Sequence, residues 1–209
     1  MKTYVPFCSD NPKTRLSSLL DEEERVEFVY ACLDDVCAAV DDADGEPVVL
    51  TTEPLDGRAE TAGRYDTLVR DDPLTPAVNA VLRDETPPVA VVVADLPLIT
   101  PGAVRRLYAS DAGFVVVPGR GGGTNAIVTR DDRFRVDYHG TSFADHVESA
   151  RELGCDVDTV DSYRLFTDAD ERADLVEVIL HGAGKATEFV RERFELVEDG
   201  EGRVSVRRR

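Results

Sequence analysis

A chain of 209 residues with 42% hydrophobic side chains fits one domain (residues 1–209) with a sizeable core. Its 42 Asp and Glu against 24 Lys and Arg leave a net charge of −18, a field that repels nucleic acid and anionic membranes. No apolar run approaches the roughly 18 residues of a membrane span. Met1-Lys2-Thr3-Tyr4-Val5-Pro6 lacks the apolar centre of a signal peptide, so a cytoplasmic protein is expected. The only lysines are Lys2, Lys13 and Lys185. Acidic, lysine-poor, arginine-rich composition reads as halophilic adaptation, because carboxylates hold water and counterions while salt screens their repulsion. Cys8, Cys32, Cys37 and Cys155 form no Cys-x-x-Cys pair and the three histidines are not at zinc spacing, so reduced thiols without structural zinc are expected.

In chain order, Val5-Pro6-Phe7 ends a short strand. Val26, Val29, Tyr30, Leu33, Val36, Cys37 and Val40 recur at steps of three and four, which predicts an amphipathic helix over 21–40. Pro47–Thr52 reads as a buried strand. Thr75-Pro76 predicts a helix start with threonine as cap and proline in the first turn. Val89–Ala94 is a continuous β-branched run, the pattern of a central parallel strand. Thr100-Pro101 repeats the helix start. Phe114–Val117 and Asn125–Thr129 read as strands. Ser142 is expected to cap a helix ending at Leu153-Gly154, before a strand at Val157–Val160. Helices follow near Asp170–Leu180 and Lys185–Phe194. A hairpin is expected over Glu195–Val197, Asp199-Gly200-Glu201-Gly202 and Arg203–Val206, with Arg207-Arg208-Arg209 frayed. Alternating strands and helices predict an α/β, Rossmann-like fold with a mostly parallel sheet and helices on both faces. Ligands in such sheets bind beyond the carboxyl ends of the strands. The periodic segments also argue against an acidic disordered chain.

Five segments hold residues suited to chemistry. Asp95 closes the most hydrophobic strand, where a carboxylate faces the ligand crevice and can hold Mg²⁺; the alternative is a turn aspartate. Asp156-Val157-Asp158 sets two carboxylates on one side of a strand, suited to a metal or merely a solvated strand end. Asn11-Pro12-Lys13-Thr14-Arg15 offers two cations that can neutralise a triphosphate, or a plain basic loop. Gly119–Gly123 before Thr124 can form an anion-binding nest or a flexible turn. Gly140-Thr141-Ser142 opens a helix whose amides can bind an anion, and His146 lies one turn inside it. Cys8 has no base within sequence reach and reads as a small packing residue.

Taken together, Asn-Pro-Lys-Thr-Arg-Leu-Ser, Ala-Asp-Leu-Pro-Leu, Gly-Gly-Gly-Thr-Asn-Ala, Gly-x-Ser-Phe-x-x-His and Asp-Val-Asp-Thr, in that order, resemble the 2-phospho-L-lactate guanylyltransferase family of coenzyme F(420) biosynthesis, related to the molybdenum-cofactor guanylyltransferases. The resemblance runs from about residue 1 to 194. It implies a nucleotidyltransferase that joins GMP from GTP to 2-phospho-L-lactate or phosphoenolpyruvate, with Mg²⁺ as cofactor and a homodimer as the assembly. Lys13, Arg15 and Asp95 would then be catalytic, with Asp95, Asp156 and Asp158 near the metal. Thr124, Gly140 and Ser142 would bind the acceptor, and Asn79 would lie near the nucleotide. Where relatives often have Phe-Lys-Pro-Leu, this chain has Phe7-Cys8-Ser9-Asp10, one cation fewer. A molybdopterin guanylyl- or cytidylyltransferase and a non-catalytic nucleotide-binding protein are the alternatives.

Overall fold

The computed structural model describes residues 1–198, 200 and 202–209. Its first half comprises strand β1 (Lys2–Phe7), helix α1 (Glu22–Asp41), β2 (Glu46–Thr51), β3 (Asp66–Val69), α2 (Leu74–Asp84), β4 (Val89–Val92) and α3 (Pro101–Ala109). Then come β5 (Phe114–Pro118), β6 (Thr124–Thr129), α4 (Ser142–Glu152), β7 (Val157–Thr159), the short helix α5 (Tyr163–Phe166), α6 (Arg172–His181), α7 (Lys185–Arg193), β8 (Phe194–Glu198) and β9 (Val204–Arg208). Seven strands form one sheet in the order β3-β2-β1-β4-β6-β5-β7, with β8 and β9 a separate hairpin. The expected mostly parallel sheet is present, with β6 running antiparallel to both β4 and β5.

Strand alternation explains the two layers. Val5, Val49, Ala90, Val92, Val115 and Val117 pack on Val29, Leu33 and Val36 of α1 and Ala103 and Leu107 of α3. The intervening residues Tyr4, Val48, Val91, Phe114, Val116 and Ile127 pack on Ala77, Val78 and Val81 of α2 and Ala150 of α4. A third cluster joins the far side of α1 (Phe28, Cys32) to α6, α7 and β9, with Leu16 and Leu20 beneath the Lys13 loop. No described helix is long and apolar enough to cross a membrane.

Local signals place the helix ends. Asp21 accepts from the Glu24 amide and Glu24 returns a carboxylate to Asp21 N–H, a capping box of the kind that contributes about 1 kcal/mol. Thr100 caps α3 through the Ala103 amide as expected. Thr75 does not cap: α2 starts at Leu74 with Pro73 in the cap position, and the Thr75 hydroxyl accepts from Tyr138 N–H at 2.9 Å. Ser142 does not cap α4 either; Thr141 occupies that position and the Ser142 hydroxyl turns inward to Thr124. The hairpin pairs Phe194–Glu198 with Val204–Arg208, and of its expected turn Asp199 and Glu201 lie outside the described residues. The arginine end is docked rather than frayed. Arg208 bonds Glu24 and the Leu19 carbonyl, and holds the Glu24 carboxyl down at about 2. Arg209 N–H donates to the Arg193 carbonyl at 3.0 Å.

Candidate active site

The carboxyl ends of β1, β2 and β4 open onto a crevice of about 430 Å³. Its walls include Phe7, Val29, Leu50, Leu74, Ala77 and Val93, with Lys13, Arg70, Asp72 and Asp95 as charged groups. An apolar slot with charged groups at both ends, Lys13 and Asp95 beyond β1 and β4 and Arg70 and Asp72 beyond β3, suits a ligand with a flat ring and a charged tail. Cys8, expected to pack inside, is exposed on this rim.

Asp95 lies three residues past β4, at the strand end the sequence pattern predicts, and the loop after β1 delivers Lys13 onto it. Lys13 Nζ donates to Asp95 Oδ2 and to Asp170 Oδ1, each at 2.6 Å, although its side chain is only 8% exposed. The reach depends on a left-handed turn at Lys13 (φ 51°), anchored by the Leu16 amide on the Lys13 carbonyl and by buried Leu16. Burial works against the ammonium charge, but the attraction of Asp95 and Asp170 outweighs it and raises the Lys13 pKa. Arg15 is mostly exposed, with Nη1 3.9 Å from Asp170 and 3.6 Å from Glu171. It stands at the exposed edge of the cluster, within ion-pair range of both acids.

Carboxylate oxygens of Asp95, Asp168 and Asp170 lie within 4.8 Å of one another. Asp168 Oδ1 is buried without a hydrogen-bond partner, and burial followed by the Asp95 charge pushes the Asp168 carboxyl up. Three acids facing one lysine, with an orphaned oxygen among them, fit a hard divalent cation such as Mg²⁺. The segment is held in place from two sides. Asn125 Nδ2 donates to the Leu165 and Phe166 carbonyls at 2.9 and 3.0 Å, and Ala169 N–H reaches the Asp95 carbonyl at 3.3 Å.

Asp156 and Asp158 stand elsewhere. Asp156 precedes β7 and accepts from Gly113 N–H at 2.8 Å, at the amino end of the parallel strands. Asp158 pairs with Val115 in mid-strand, and both aspartates are exposed. They form a solvated strand end, the second of the two readings that their alternation allows. The acidic pair near Asp95 is instead Asp168 and Asp170. Reading Asp170 as the start of a helix conceals it: α6 begins at Arg172, with Asp174 accepting from the Asp170 and Glu171 amides. The same Asp-x-Asp spacing at 168 and 170, in the loop between α5 and α6, is the signal that identifies them.

The glycine-rich segment and the start of α4 meet beside this crevice. Because β6 runs antiparallel, its amino end at Thr124 and Asn125 lies next to the carboxyl end of β4, where Val93 N–H donates to the Asn125 carbonyl. Gly121 and Gly122 have positive φ (77° and 96°), and a side chain at Gly122 would press on the Gly140 carbonyl. Gly140 is exposed. Arg120 pairs with Asp174, tying this loop to the cap of α6. Thr124 and Ser142 are nearly buried and bonded to each other. Asn79 is occupied within the scaffold. Its side chain exchanges two 2.8 Å hydrogen bonds with the Val136 backbone and pins that loop to α2.

A family model described as "Guanylyl transferase CofC like" matches residues 1–209. Relatives named 2-phospho-L-lactate guanylyltransferase from Natronomonas pharaonis and Halomicrobium mukohataei are 48% and 47% identical, each alignment covering 100% of both chains. Among solved structures, one described as a candidate nucleotide-diphospho-sugar transferase from Desulfovibrio desulfuricans G20 is similar with a TM-score of 0.75 at 15% identity, covering 91% of this chain and 94% of that one. A nucleotidyl transferase from Methanothermobacter thermautotroptrophicus gives 0.53 at 14%, covering 91% and 98%. At that identity the two structures speak for the fold.

Proposed function

Because the chain belongs to the CofC-like guanylyl transferase family, we propose that it transfers GMP from GTP to 2-phospho-L-lactate or phosphoenolpyruvate, releasing pyrophosphate, for coenzyme F(420) biosynthesis. The observation that supports this reading most is the Lys13–Asp95–Asp168–Asp170 cluster at the mouth of an apolar crevice. In the reaction, a phosphate oxygen of the acid attacks the α-phosphorus of GTP. The new P–O bond forms as the bond to the bridging oxygen of the β-phosphate breaks, and pyrophosphate departs with that electron pair. The attacking phosphate is already anionic at neutral pH, so no side chain has to remove a proton. Catalysis then rests on alignment and charge neutralisation.

Each group has a part in that scheme. Phe7, Leu50 and Ala77 wall the space offered to the base. Lys13 balances phosphate charge and keeps Asp95 and Asp170 from repelling each other. Arg15, exposed beside the cluster, is placed to take up charge on the leaving pyrophosphate. Asp95, Asp168 and Asp170 would hold Mg²⁺, which when bound lowers repulsion among the phosphates. Thr124, Ser142 and the amide of Gly140 form the acceptor side. The −18 charge fits an enzyme working in high salt, and a cytoplasmic homodimer completes the proposal.

The test is pyrophosphate release in high KCl with Mg²⁺, offering GTP, ATP or CTP against 2-phospho-L-lactate, phosphoenolpyruvate and 3-phosphoglycerate. Release with GTP and phospholactate or phosphoenolpyruvate is expected. Silence across the whole grid, from folded protein that still binds GTP, overturns the reading. Light scattering at the same salt tests the dimer.

A further inference from the structure

His146 is 1% exposed, and both of its ring nitrogens are engaged. Nε2 lies 2.9 Å from the Asp137 backbone nitrogen, whose N–H can only donate. Nε2 therefore carries a lone pair, and a neutral ring must place its single hydrogen on Nδ1. Nδ1 is 3.0 Å from Thr124 Oγ1, so Nδ1–H donates to that oxygen. Ser142 Oγ donates to the same oxygen at 3.2 Å. Thr124 Oγ1 thus accepts twice, and its own hydrogen is spent on neither bond. Among the described residues it has no further partner. A nearly buried hydroxyl hydrogen left unbonded is costly, so it calls for an acceptor.

The surroundings keep this arrangement fixed. Tyr138 and Phe134 meet the imidazole edge-on, with ring centroids 5.4 and 6.1 Å away. Burial lowers the His146 pKa to about 4 against the pull of Asp137 and Asp145, with His139 adding to the lowering, so the neutral ring persists at working pH. Thr124 begins β6 directly after the glycine loop, at the end of the sheet where Asp95 lies.

We propose that His146 is a positioning residue that fixes Nδ1–H on Thr124 and so turns the Thr124 hydroxyl hydrogen toward an oxygen of the anionic acid acceptor. The inference rests on the acceptor-side reading of Thr124 given above. It explains why a histidine stands inside α4: a ring with one nitrogen committed to a backbone donor has a defined tautomer, and a defined tautomer orients a hydroxyl.

The experiment compares Thr124→Val, His146→Gln and His146→Asn in the pyrophosphate assay, with separate KM values for phospholactate and GTP. Glutamine can present an oxygen near the Nε2 position and loses the donor; asparagine can present an N–H near Nδ1 and keeps it. Thr124→Val and His146→Gln are expected to raise the KM for the acid about tenfold, the scale of one hydrogen bond, with the KM for GTP unchanged. His146→Asn should stay within about threefold of the parent on the same scale. Nitrogen-15 NMR of the parent should show the Nδ1–H tautomer. Unchanged acid KM in Thr124→Val sinks the acceptor reading itself. Impaired Thr124→Val beside a normal His146→Gln leaves that reading standing and overturns the role of His146. So does an Nε2–H tautomer, or equal loss toward both substrates in both histidine variants.

Discussion

Two regions flank the crevice, and they are built on opposite principles. Around Asp95, two of three carboxylates share one buried ammonium, an oxygen of the third goes unpartnered, and the mostly exposed Arg15 lies within ion-pair range of Asp170 and Glu171. Around Thr124, the groups are neutral, and both nitrogens of the His146 ring and the two hydroxyl oxygens have partners. The charged region is frustrated without a ligand, because like charges at close range cost free energy until a cation separates them. The neutral region is complete except for one hydrogen. The first is suited to exchange of ions, and the second to holding a shape.

The sharpest break in that contrast comes from Asp95→Asn. Turnover should fall by at least about 10³-fold while circular dichroism stays unchanged, the scale of losing a principal transition-state contact. A folded, active variant would remove Asp95 from the metal assignment. Asp168→Asn separates frustration from function. Its raised pKa means that the folded state resists its negative charge, so the carboxylate lowers stability above its folded pKa and the penalty fades as pH falls. The amide should raise Tm in metal-free buffer, because it removes a charge that burial and the Asp95 carboxylate both oppose. It should also abolish the Tm increase expected of the parent in Mg²⁺; a parent-like Mg²⁺ response would contradict the site.

A smaller effect probes the neutral side. The unfolded chain protonates His146 near 6.5, whereas the folded one resists until about 4. Stability tied to this ring is therefore present above 6.5 and is lost progressively as pH falls toward 4. Denaturant titrations at pH 7 and 4.5 should show the parent losing on the order of 2 kcal/mol more than His146→Asn. Equal losses would mean the ring is not held neutral. The smallest effect belongs to Asp156→Asn with Asp158→Asn, for which kcat/KM should stay within about twofold, as for surface changes away from a site.

Much of this is legible in the chain before any coordinates. Helices α1 and α3 announce themselves by period and by capping residues, and Asp95 by its place at the end of a β-branched run. Asp168 and Asp170 escape notice because residues 167–170 have no periodicity to anchor them. The Asp156 pair draws attention instead because alternation reports which face a side chain takes and says nothing about which end of the sheet it occupies. The rule that ligands gather beyond the carboxyl ends, applied to a residue that precedes its strand, excludes Asp156. The reversed direction of β6 is invisible, since a strand reads the same pattern in either direction. Thr75 and Ser142 look like caps by composition, but the Thr75 oxygen accepts from the Tyr138 amide and the Ser142 hydroxyl turns inward to donate to Thr124.

The docked arginine strand has a consequence for the order in which this molecule becomes an enzyme. Leu16 and Leu20, which brace the turn at Lys13, share a cluster with Val206, and Arg208 grips the Leu19 carbonyl. The loop that carries Lys13 is synthesised well before residue 206, yet part of its footing is supplied by that later strand. A nascent chain halted before residue 206 has the crevice and the carboxylates without a firm seat for the lysine between them. Premature termination there should yield a protein that chaperones and proteases recognise as unfinished, not a slower catalyst.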